Sequence, residues 1–283
     1  MKHVTMADVA RSVGVNKGTV SRALKGDRRI SPATRQRVWE AAKKLGYKLD
    51  AVASGLSSRH SGVIGVVMER MKASWAGEFL SAVAGVLSRC KMELLLLEAG
   101  DMASPVVNVL RRVEGRKVDG LIWFGEKEFD PVDLDIPVVR VGRQRNGKEY
   151  LVRLEQDGTL ERVRSLLDGR PVVYRGGPDA FMEFLAGLQT EEGSGDPFVI
   201  WDGLKELPAG ELPSLVCGDE RLARWVGAYA LRVPVRELGI LTARVLSNVI
   251  RETGVRPAEI LLNPPLISPQ GEHLLRQIPH NAL

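Results

Sequence analysis

The strongest constraint on the fold is the segment TMADVARSVGVNKGTVSRAL (residues 5–24), in which apolar residues follow a helical period twice. The spacing predicts a first helix over residues 6–13 and a second helix that buries Val20 and Ala23. Gly14 lies between them, where a sharp turn favours a residue without a side chain. The segment therefore predicts two short amphipathic helices joined by a tight turn.

The outer face of the second helix carries small and cationic residues. Asn16 stands at the N-cap position, where its side chain can accept a hydrogen bond from a free amide of the helix. The buried stripe leaves these residues on the exposed face: Lys17, Gly18, Ser21, Arg22 and Lys25. A short helix with such a face suits insertion into a DNA major groove. The alternative is an ordinary helical hairpin whose charged face is simply solvated.

The distribution of charge favours DNA binding over an ordinary solvated hairpin. Residues 1–60 contain 13 Lys and Arg and 4 Asp and Glu, a net charge of +9, whereas the remaining residues contain 27 and 31, a net charge of −4. The overall formal charge of +5 therefore combines a basic N-terminal segment with a mildly acidic body. A basic segment of this kind neutralises phosphates and gains affinity from the release of counterions.

Residues 3–60 resemble the DNA-binding headpiece of the lactose-repressor (LacI) family of bacterial transcription regulators. The resemblance is carried by Val4-Thr5, Asp8-Val9-Ala10, Gly14-Val15, Thr19-Val20-Ser21-Arg22, Ile30-Ser31, Thr34-Arg35, Val38, Leu45-Gly46-Tyr47, Val52-Ala53 and Leu56. In that family a third helix, here predicted over residues 32–45, packs on the first two. The resemblance also implies a hinge segment that becomes helical on DNA and inserts Leu56 between base pairs of the minor groove. The alternative role for Leu56 is to cover the neighbouring domain.

The resemblance assigns DNA contacts residue by residue. Lys17, Gly18 and Arg22 occupy the positions that contact base edges, and Arg22 can form a bidentate contact with guanine. A larger set occupies positions that contact phosphates or brace the headpiece: Thr5, Asn16, Thr19, Ser21, Lys25, Ser31, Thr34 and Tyr47. Arg29 and its neighbour Arg28 add positive charge beyond the second helix. Phosphate contacts position a protein on DNA without specifying the sequence.

Three segments are expected along the chain. A helix-turn-helix headpiece occupies residues 1–48, a hinge occupies residues 49–61, and an effector-binding or dimerisation domain occupies residues 62–283. In the last of these, strand-like and helix-like segments alternate, which predicts right-handed crossovers and parallel sheets. The order resembles the family's periplasmic-binding-protein-like body. The expected fold class is thus an all-α headpiece followed by an α/β body of two parallel-sheet subdomains, of which the second is reduced.

The ligand site implied by the resemblance departs from the family pattern. After Gly176-Gly177-Pro178 the family carries an arginine that binds sugar hydroxyls, whereas here a helix without arginine is expected over residues 179–188. The family's Asn-Asp motif appears as Gly218-Asp219. Either a cleft survives with other linings, or the body has lost ligand binding and serves only for dimerisation. A surviving cleft is expected near the strand ends, at Trp75, Trp123, Arg140, Trp201 and Asp219.

Each of these five residues also has a structural alternative. The tryptophans would be core or interface residues, and Arg140 and Asp219 would form surface ion pairs. The sequence by itself leaves both interpretations open.

Motifs of other functional classes are missing from the sequence. It contains no G-x-S-x-G, no Walker loop and no G-x-G-x-x-G after the first strand, so an enzyme is not expected. Cys90 and Cys217 are isolated, which predicts no disulfide framework, zinc site or cofactor. No apolar run reaches the roughly 18–20 residues of a membrane helix. Without a signal-peptide pattern, the predicted location is the cytoplasm.

The sequence therefore predicts a transcription regulator, specifically a repressor. It is expected to bind a pseudo-palindromic operator in double-stranded DNA as a homodimer, with no membrane partner. Modulation by a small-molecule effector is left open. The alternative is a DNA-binding protein whose affinity for DNA responds to no metabolite, because its body only dimerises.

Overall fold

The computed structural model describes residues 4–24, 26–47, 60–69, 71–99, 106–125, 134–142, 149–177, 181–203, 212–254 and 256–274. The chain divides into two compact units, Met1–Ser61 and Gly62–Leu283. Each unit has its own apolar core and is described separately.

The described residues of the N-terminal unit form three helices: α1 (Met6–Val13), α2 (Lys17–Leu24) and α3 (Pro32–Leu45). The first two are the helices that the apolar periodicity predicts, and the third is the helix that the family resemblance implies. Gly14 has a φ of 76°, a left-handed conformation that ends α1 and permits the tight turn into α2. The core is formed by small and β-branched side chains from all three helices: Val9, Ala10, Val13, Val20, Ala23, Val38 and Ala42.

In the C-terminal unit, the described strands form two sheets. Sheet 1 is parallel and has the strand order β10-β5-β4-β3-β1-β2. Its strands are β1 (Val63–Met68), β2 (Glu93–Glu98), β3 (Gly120–Phe124), β4 (Val138–Val141), β5 (Tyr150–Leu154) and β10 (Glu259–Leu262). Two helices connect its first three strands, α4 (Ala76–Arg89) and α5 (Val106–Gly115).

Sheet 2 is smaller and has the order β11-β9-β8-β7-β6, with only β11 antiparallel. Its strands are β6 (Val172–Gly176), β7 (Phe198–Asp202), β8 (Leu215–Cys217), β9 (Tyr229–Leu231) and β11 (Leu266–Ile267). The helices of this half of the chain are α6 (Asp157–Arg164), a 3₁₀ helix (Glu183–Leu188), α7 (Glu220–Val226) and α8 (Val235–Ile250).

The chain passes between the two sheets three times. It leaves sheet 1 after β5, returns through α8 and β10, and ends the described region in sheet 2 with β11. Helix α8 packs closely on α4, and Gly239 makes this approach possible. A Cβ atom there would lie 2.8 Å from the carbonyl oxygen of Phe79 and 2.9 Å from Cβ of Ala82. The topology therefore confirms the expected α/β body built on two mainly parallel sheets.

One predicted helix of the body is wrong. Residues 181–182 have no helical assignment, and only the 3₁₀ helix Glu183–Leu188 forms within the segment expected to be an α-helix. The backbone amides of Phe181 and Met182 donate to the buried carboxylate of Asp202 instead of continuing a helix. The seven-residue helix α7 and the strands β9 and β11 were not predicted, since elements this short carry little periodicity.

Candidate nucleic-acid interface and effector cleft

The N-terminus of α2 is fixed by Asn16. The backbone amide of Thr19 donates to Asn16 Oδ1 at 2.7 Å, which is the predicted N-cap hydrogen bond. The amides of Thr19 and Val20 also donate to the carbonyl oxygen of Asn16, at 3.0 and 3.1 Å. The first turn of α2 is therefore held by a residue that is itself exposed.

The outer face of α2 is a continuous cationic surface. Lys17, Gly18 and Arg22 are exposed, whereas Val20 and Ala23 are fully buried on the opposite face. Arg22 lies along its own helix, because its Nε donates to the carbonyl oxygen of Gly18 at 3.1 Å. A Cβ at Gly18 would lie 3.3 Å from the Asn16 cap oxygen and 3.8 Å from the Arg22 guanidinium. The absence of a side chain at Gly18 therefore leaves room for both groups.

Several residues predicted to contact phosphates form bracing hydrogen bonds. The backbone amide and hydroxyl of Thr5 donate to Asp8 Oδ2, at 2.9 and 2.7 Å. Ser31 Oγ accepts from the backbone amide of Thr34 at 3.2 Å, and it donates to the Thr34 hydroxyl at 2.9 Å. Tyr47 is half-buried and packs against the headpiece core. Two further residues of the set lie half-buried on α2: Thr19 and Ser21.

The charge of Arg29 is compensated within the headpiece. Its guanidinium donates to both carboxylate oxygens of Asp27, at distances from 2.7 to 3.2 Å, and its backbone amide donates at 2.9 Å. These hydrogen bonds lower the pKa of Asp27 from 3.8 to about 2. The sequence interpretation counted Arg29 as added positive charge and missed this pairing, although the Asp-x-Arg spacing could have indicated it.

Arg37 is a further bracing residue that the sequence interpretation missed. Its guanidinium donates to the carbonyl oxygen of Val13 at 2.9 Å, so α3 is joined to the C-terminal end of α1. Lys25 and Leu56, together with most of the predicted hinge over residues 49–61, lie outside the described residues.

An aromatic contact divides the cleft between the two sheets of the body. Trp75 precedes α4, and Phe181 follows β6 of sheet 2; their ring centroids lie 5.1 Å apart in an edge-to-face arrangement. Phe124, at the end of β3, lies 4.7 Å from Trp75 and 5.9 Å from Phe181. Trp75 and Phe181 line two cavities, with volumes of about 110 and 510 Å³. Side chains from both halves of the body therefore meet across the cleft.

Asp202 holds Phe181 in this position. Its carboxylate accepts hydrogen bonds from the amides of Phe181 and Met182, at 3.0 and 2.6 Å, and from the Tyr174 hydroxyl at 3.0 Å. Burial raises the pKa of Asp202, and the three hydrogen bonds oppose that shift. Burial also raises the pKa of Tyr174, so its hydroxyl stays protonated as the donor.

Three of the five residues proposed for the effector site line the cavities. Trp75 lines both, and Trp201 and Asp219 line the larger one. Asp219 also caps α7, since its Oδ1 accepts from the backbone amide of Leu222 at 2.9 Å. The cleft-lining Phe181 was missed, because the segment that carries it was expected to be an ordinary helix.

The positions of Trp123 and Arg140 correct the sequence expectation. Trp123 is fully buried in the core on the outer side of sheet 1, and Arg140 is buried in an ion pair with Glu149 at 3.0 Å. Neither residue is among the described residues that line these two cavities. Successive side chains of a strand face opposite sides of the sheet, so Phe124 rather than Trp123 reaches the cleft.

Two other kinds of feature are absent from the described parts of the chain. None of their helices combines the length and apolar character needed to cross a membrane. In the same residues, no group of three or more His, Cys, Asp or Glu side chains is placed to hold a metal ion.

Residues 5–50 match the family described as bacterial regulatory proteins, lacI family. This match covers the three described helices of the N-terminal unit. Catabolite control protein A of Priestia megaterium is 31% identical over 122 residues, which cover 43% of this chain and 37% of that protein. HTH-type transcriptional regulator pepR1 of Lactobacillus delbrueckii subsp. lactis is 27% identical over 152 residues, with shares of 52% and 46%. The matched segments thus span less than half the length of these curated relatives.

Similarity of fold extends well beyond the matched residues 5–50. The structure of the lac repressor dimer bound to operator and the anti-inducer ONPF superposes with a TM-score of 0.67. The match is 16% identical in sequence and covers 96% of this chain and 98% of that chain. The transcriptional regulator CelR–cellobiose complex superposes with a TM-score of 0.55 at 20% identity, covering 94% and 98% of the two chains. These neighbours confirm the predicted fold class.

Proposed function

We propose that this chain is a sequence-specific transcription regulator that represses genes by binding a pseudo-palindromic operator as a homodimer. The observation that carries the proposal is the outer face of α2. There a capped helix presents Lys17, Gly18 and Arg22 to solvent, within a segment of net charge +9. Two such helices would enter successive major grooves at half-sites about 34–36 Å apart. Because chromosomal DNA is its target, a cytoplasmic location belongs to the proposal.

Arg22 is the residue proposed to determine specificity. In the free protein its Nε is bonded to a backbone carbonyl of its own helix, which is a weak and solvent-exposed contact. Exchange of this contact for guanine O6 and N7 replaces one neutral acceptor with a bidentate pair. Lys17 lies in the first turn of α2, where the free amides of the helix N-terminus add to the attraction for phosphate.

The structural neighbours support the homodimer and the DNA partner. The lac repressor structure is that of a dimer bound to operator, and its fold covers 96% of this chain. CelR is described as a complex with cellobiose, which supports a small-molecule effector as part of the proposal. Effector binding between the sheets would alter DNA affinity by linkage between the two sites.

The second candidate function is that of a DNA-binding protein whose body serves only for dimerisation. It is favoured by the aromatic contact between Trp75 and Phe181, which joins the two halves of the body without a ligand. A regulator of this kind would bind its operator with the same affinity in the presence of any metabolite. The cavity of about 510 Å³ beside that contact favours the effector-responsive regulator instead.

The decisive experiment is a selection of duplexes from a random pool with the full-length protein. The proposal predicts an enriched, two-fold related pair of half-sites. Arg22→Ala should then cost about 1–3 kcal/mol of binding free energy and relax specificity at one base pair.

Lys44→Ala provides the matched control for that measurement. Lys44 is an exposed cation in the last turn of α3, so its removal changes the charge equally without touching the face of α2. It should leave the sequence preference unchanged. A pool without enrichment would refute the function, and equal effects of the two variants on every base pair would refute the role of Arg22.

A further inference from the structure

The larger cavity of the body has acidic and aromatic walls. It lies where β7 and β8 end and where α4 begins. Its carboxylates belong to Glu78, Asp202 and Asp219, and no Lys, Arg or His is among the described residues that line it. The smaller cavity has one lining cation, Arg153, which is paired with Glu259 at 2.6 Å. The cleft therefore presents a negative field with no uncompensated cation among the described lining residues.

Helix N-termini at the cleft do not reverse this charge. A helix N-terminus ordinarily attracts an anion through its free amides and its dipole. Each of the three helices that begin at this cavity already has a carboxylate in place. Glu78 lies in the first turn of α4, Asp219 caps α7, and Glu237 lies in the first turn of α8. The helix N-termini that would ordinarily bind phosphate at an α/β cleft thus already have the protein's own carboxylates beside them.

Two of the cavity carboxylates remain available to a ligand. Asp202 is not one of them, because three protein donors occupy it. Glu78 is exposed and makes no hydrogen bond or ion pair with a described residue. Asp219 is exposed as well and uses one oxygen for its cap, which leaves Oδ2 to a ligand.

An unsatisfied donor gives a second, independent indication of a ligand. Trp201 is 1% exposed and lines the cavity, and its buried indole Nε1 has no acceptor among the described residues. A buried donor without an acceptor costs free energy, and buried polar groups in native proteins are normally paired. A ligand oxygen in the cavity would supply the missing acceptor.

Aromatic surface completes the site. Trp75 and Phe181 form the wall between the two cavities, and both are half-buried, so part of each ring borders the cavity. Aromatic faces attract organic cations through the ring quadrupole and bind apolar groups by burial. An acidic pocket with such a wall recognises a positive charge on an apolar body.

We propose that the larger cavity binds a small organic cation, an amine or guanidinium compound with an apolar body and a hydrogen-bond acceptor. Its charged group lies at the carboxylates of Glu78 and Asp219, its apolar body lies against Trp75 and Phe181, and its acceptor receives the Trp201 indole N–H. Metabolites that carry phosphate or carboxylate groups are rejected. The inference rests on the proposed function in one respect: binding of the organic cation would then alter the affinity for the operator.

The test uses three molecules of nearly the same shape and different charge. Tyramine is a cation, tyrosol is its neutral alcohol, and 4-hydroxyphenylacetate is its anion; all three carry the same phenol oxygen. Calorimetric titration of the full-length protein should show tyramine binding at least about tenfold more tightly than tyrosol. Tyramine should also change the tryptophan fluorescence. Equal or tighter binding of the anion, or no binding of tyramine at millimolar concentration, would overturn the proposal.

A charge-only substitution locates the binding site. Glu78→Gln keeps the size of the side chain and should weaken tyramine binding by about five- to tenfold while leaving tyrosol unchanged. Glu93→Gln is the matched control, since Glu93 is an exposed carboxylate at the start of β2, at the opposite end of sheet 1. It should leave both affinities unchanged. Equal tyramine affinities of the two variants would contradict the assignment.

The duplex selection separates this inference from the proposed function. If no duplex is enriched while tyramine binds and depends on Glu78, the regulator proposal fails and the cavity assignment stands. If duplexes are enriched and tyramine does not bind, the cavity assignment alone is refuted.

Discussion

Replacement of Asn16 by alanine tests how the N-cap of α2 supports DNA recognition. The side chain of Asn16 accepts a 2.7 Å hydrogen bond from the amide of Thr19, at the start of this two-turn helix. Asn16→Ala removes the acceptor but leaves the backbone carbonyl that begins the helix. The first turn, with Lys17 and Gly18, should then open more often.

The expected magnitude follows from the exposure of the cap. Loss of an N-cap costs about 0.5–2 kcal/mol, and water can replace the lost acceptor here because the hydrogen bond is exposed. The loss should therefore be about 1 kcal/mol of local stability. That value corresponds to an approximately fivefold increase in the equilibrium population of the open helix.

Hydrogen exchange of the α2 amides in the full-length protein measures this change directly. Asn16→Ala should accelerate exchange over residues 21–24 about fivefold and leave the α3 amides of residues 38–42 less affected. Asn16→Asp retains an oxygen acceptor and places a negative charge at a helix N-terminus, so exchange should stay at or below the wild-type rate. Both variants should weaken DNA binding, the second because its carboxylate repels phosphate.

The outcome with Asn16→Asp decides whether the reasoning is correct. If its α2 amides exchange as fast as those of Asn16→Ala, the oxygen acceptor does not stabilise the helix. If Asn16→Ala exchanges at the wild-type rate, the cap makes no contribution to the first turn.

Three further predictions concern the packing and the ionisable groups. Gly239→Ala should lower the free energy of unfolding by about 1–3 kcal/mol, because the added Cβ would lie 2.8 Å from the Phe79 carbonyl oxygen; thermal unfolding measures the loss. Asp202→Asn should lower the free energy of unfolding by about 1–3 kcal/mol, since the new NH₂ group would face buried amide donors. Because burial raises the pKa of Asp202, the stability that its carboxyl contributes is present below the unfolded pKa and declines as the pH rises. In denaturant titrations, the difference in free energy of unfolding between wild type and Asp202→Asn should therefore be largest at low pH. The Asp27 carboxyl should titrate near pH 2 by carbon NMR, and its stabilising pair with Arg29 should be lost as the pH falls from about 4 towards that value. Arg29→Ala should raise the midpoint towards 3.8 without reaching it, because the backbone amide of residue 29 still donates to the carboxylate.

The headpiece could be predicted almost completely from local sequence. The bounds of α1, the turn at Gly14, the buried face of α2 and the cap at Asn16 follow from residue spacing and from backbone preferences within a few positions, and the bounds of α3 follow from the family resemblance. These are interactions between neighbours in the chain, which the sequence lists directly. The pairing of Arg29 with Asp27 was missed, because helix periodicity says nothing about which loop side chains meet.

The cleft of the body shows where prediction from sequence ended. Trp123 and Phe124 are adjacent, and a strand places one in the outer core and the other at the cleft; the sequence did not determine which. Phe181 lies in a segment that was expected to be a helix. That helix does not form, because backbone amides of the segment donate instead to the carboxylate of Asp202 in β7, about twenty residues further along the chain.

By itself, the sequence determined a basic three-helix headpiece, its cationic second helix and an α/β body, because periodicity, capping and charge act over short distances along the chain. Only the tertiary structure decided which side chains line the cleft, that Trp75 and Phe181 meet across it, and that the three helix N-termini there carry their own carboxylates. The physical reason is that these features depend on the pairing of strands far apart in sequence, and on which face each residue presents once the sheets have formed.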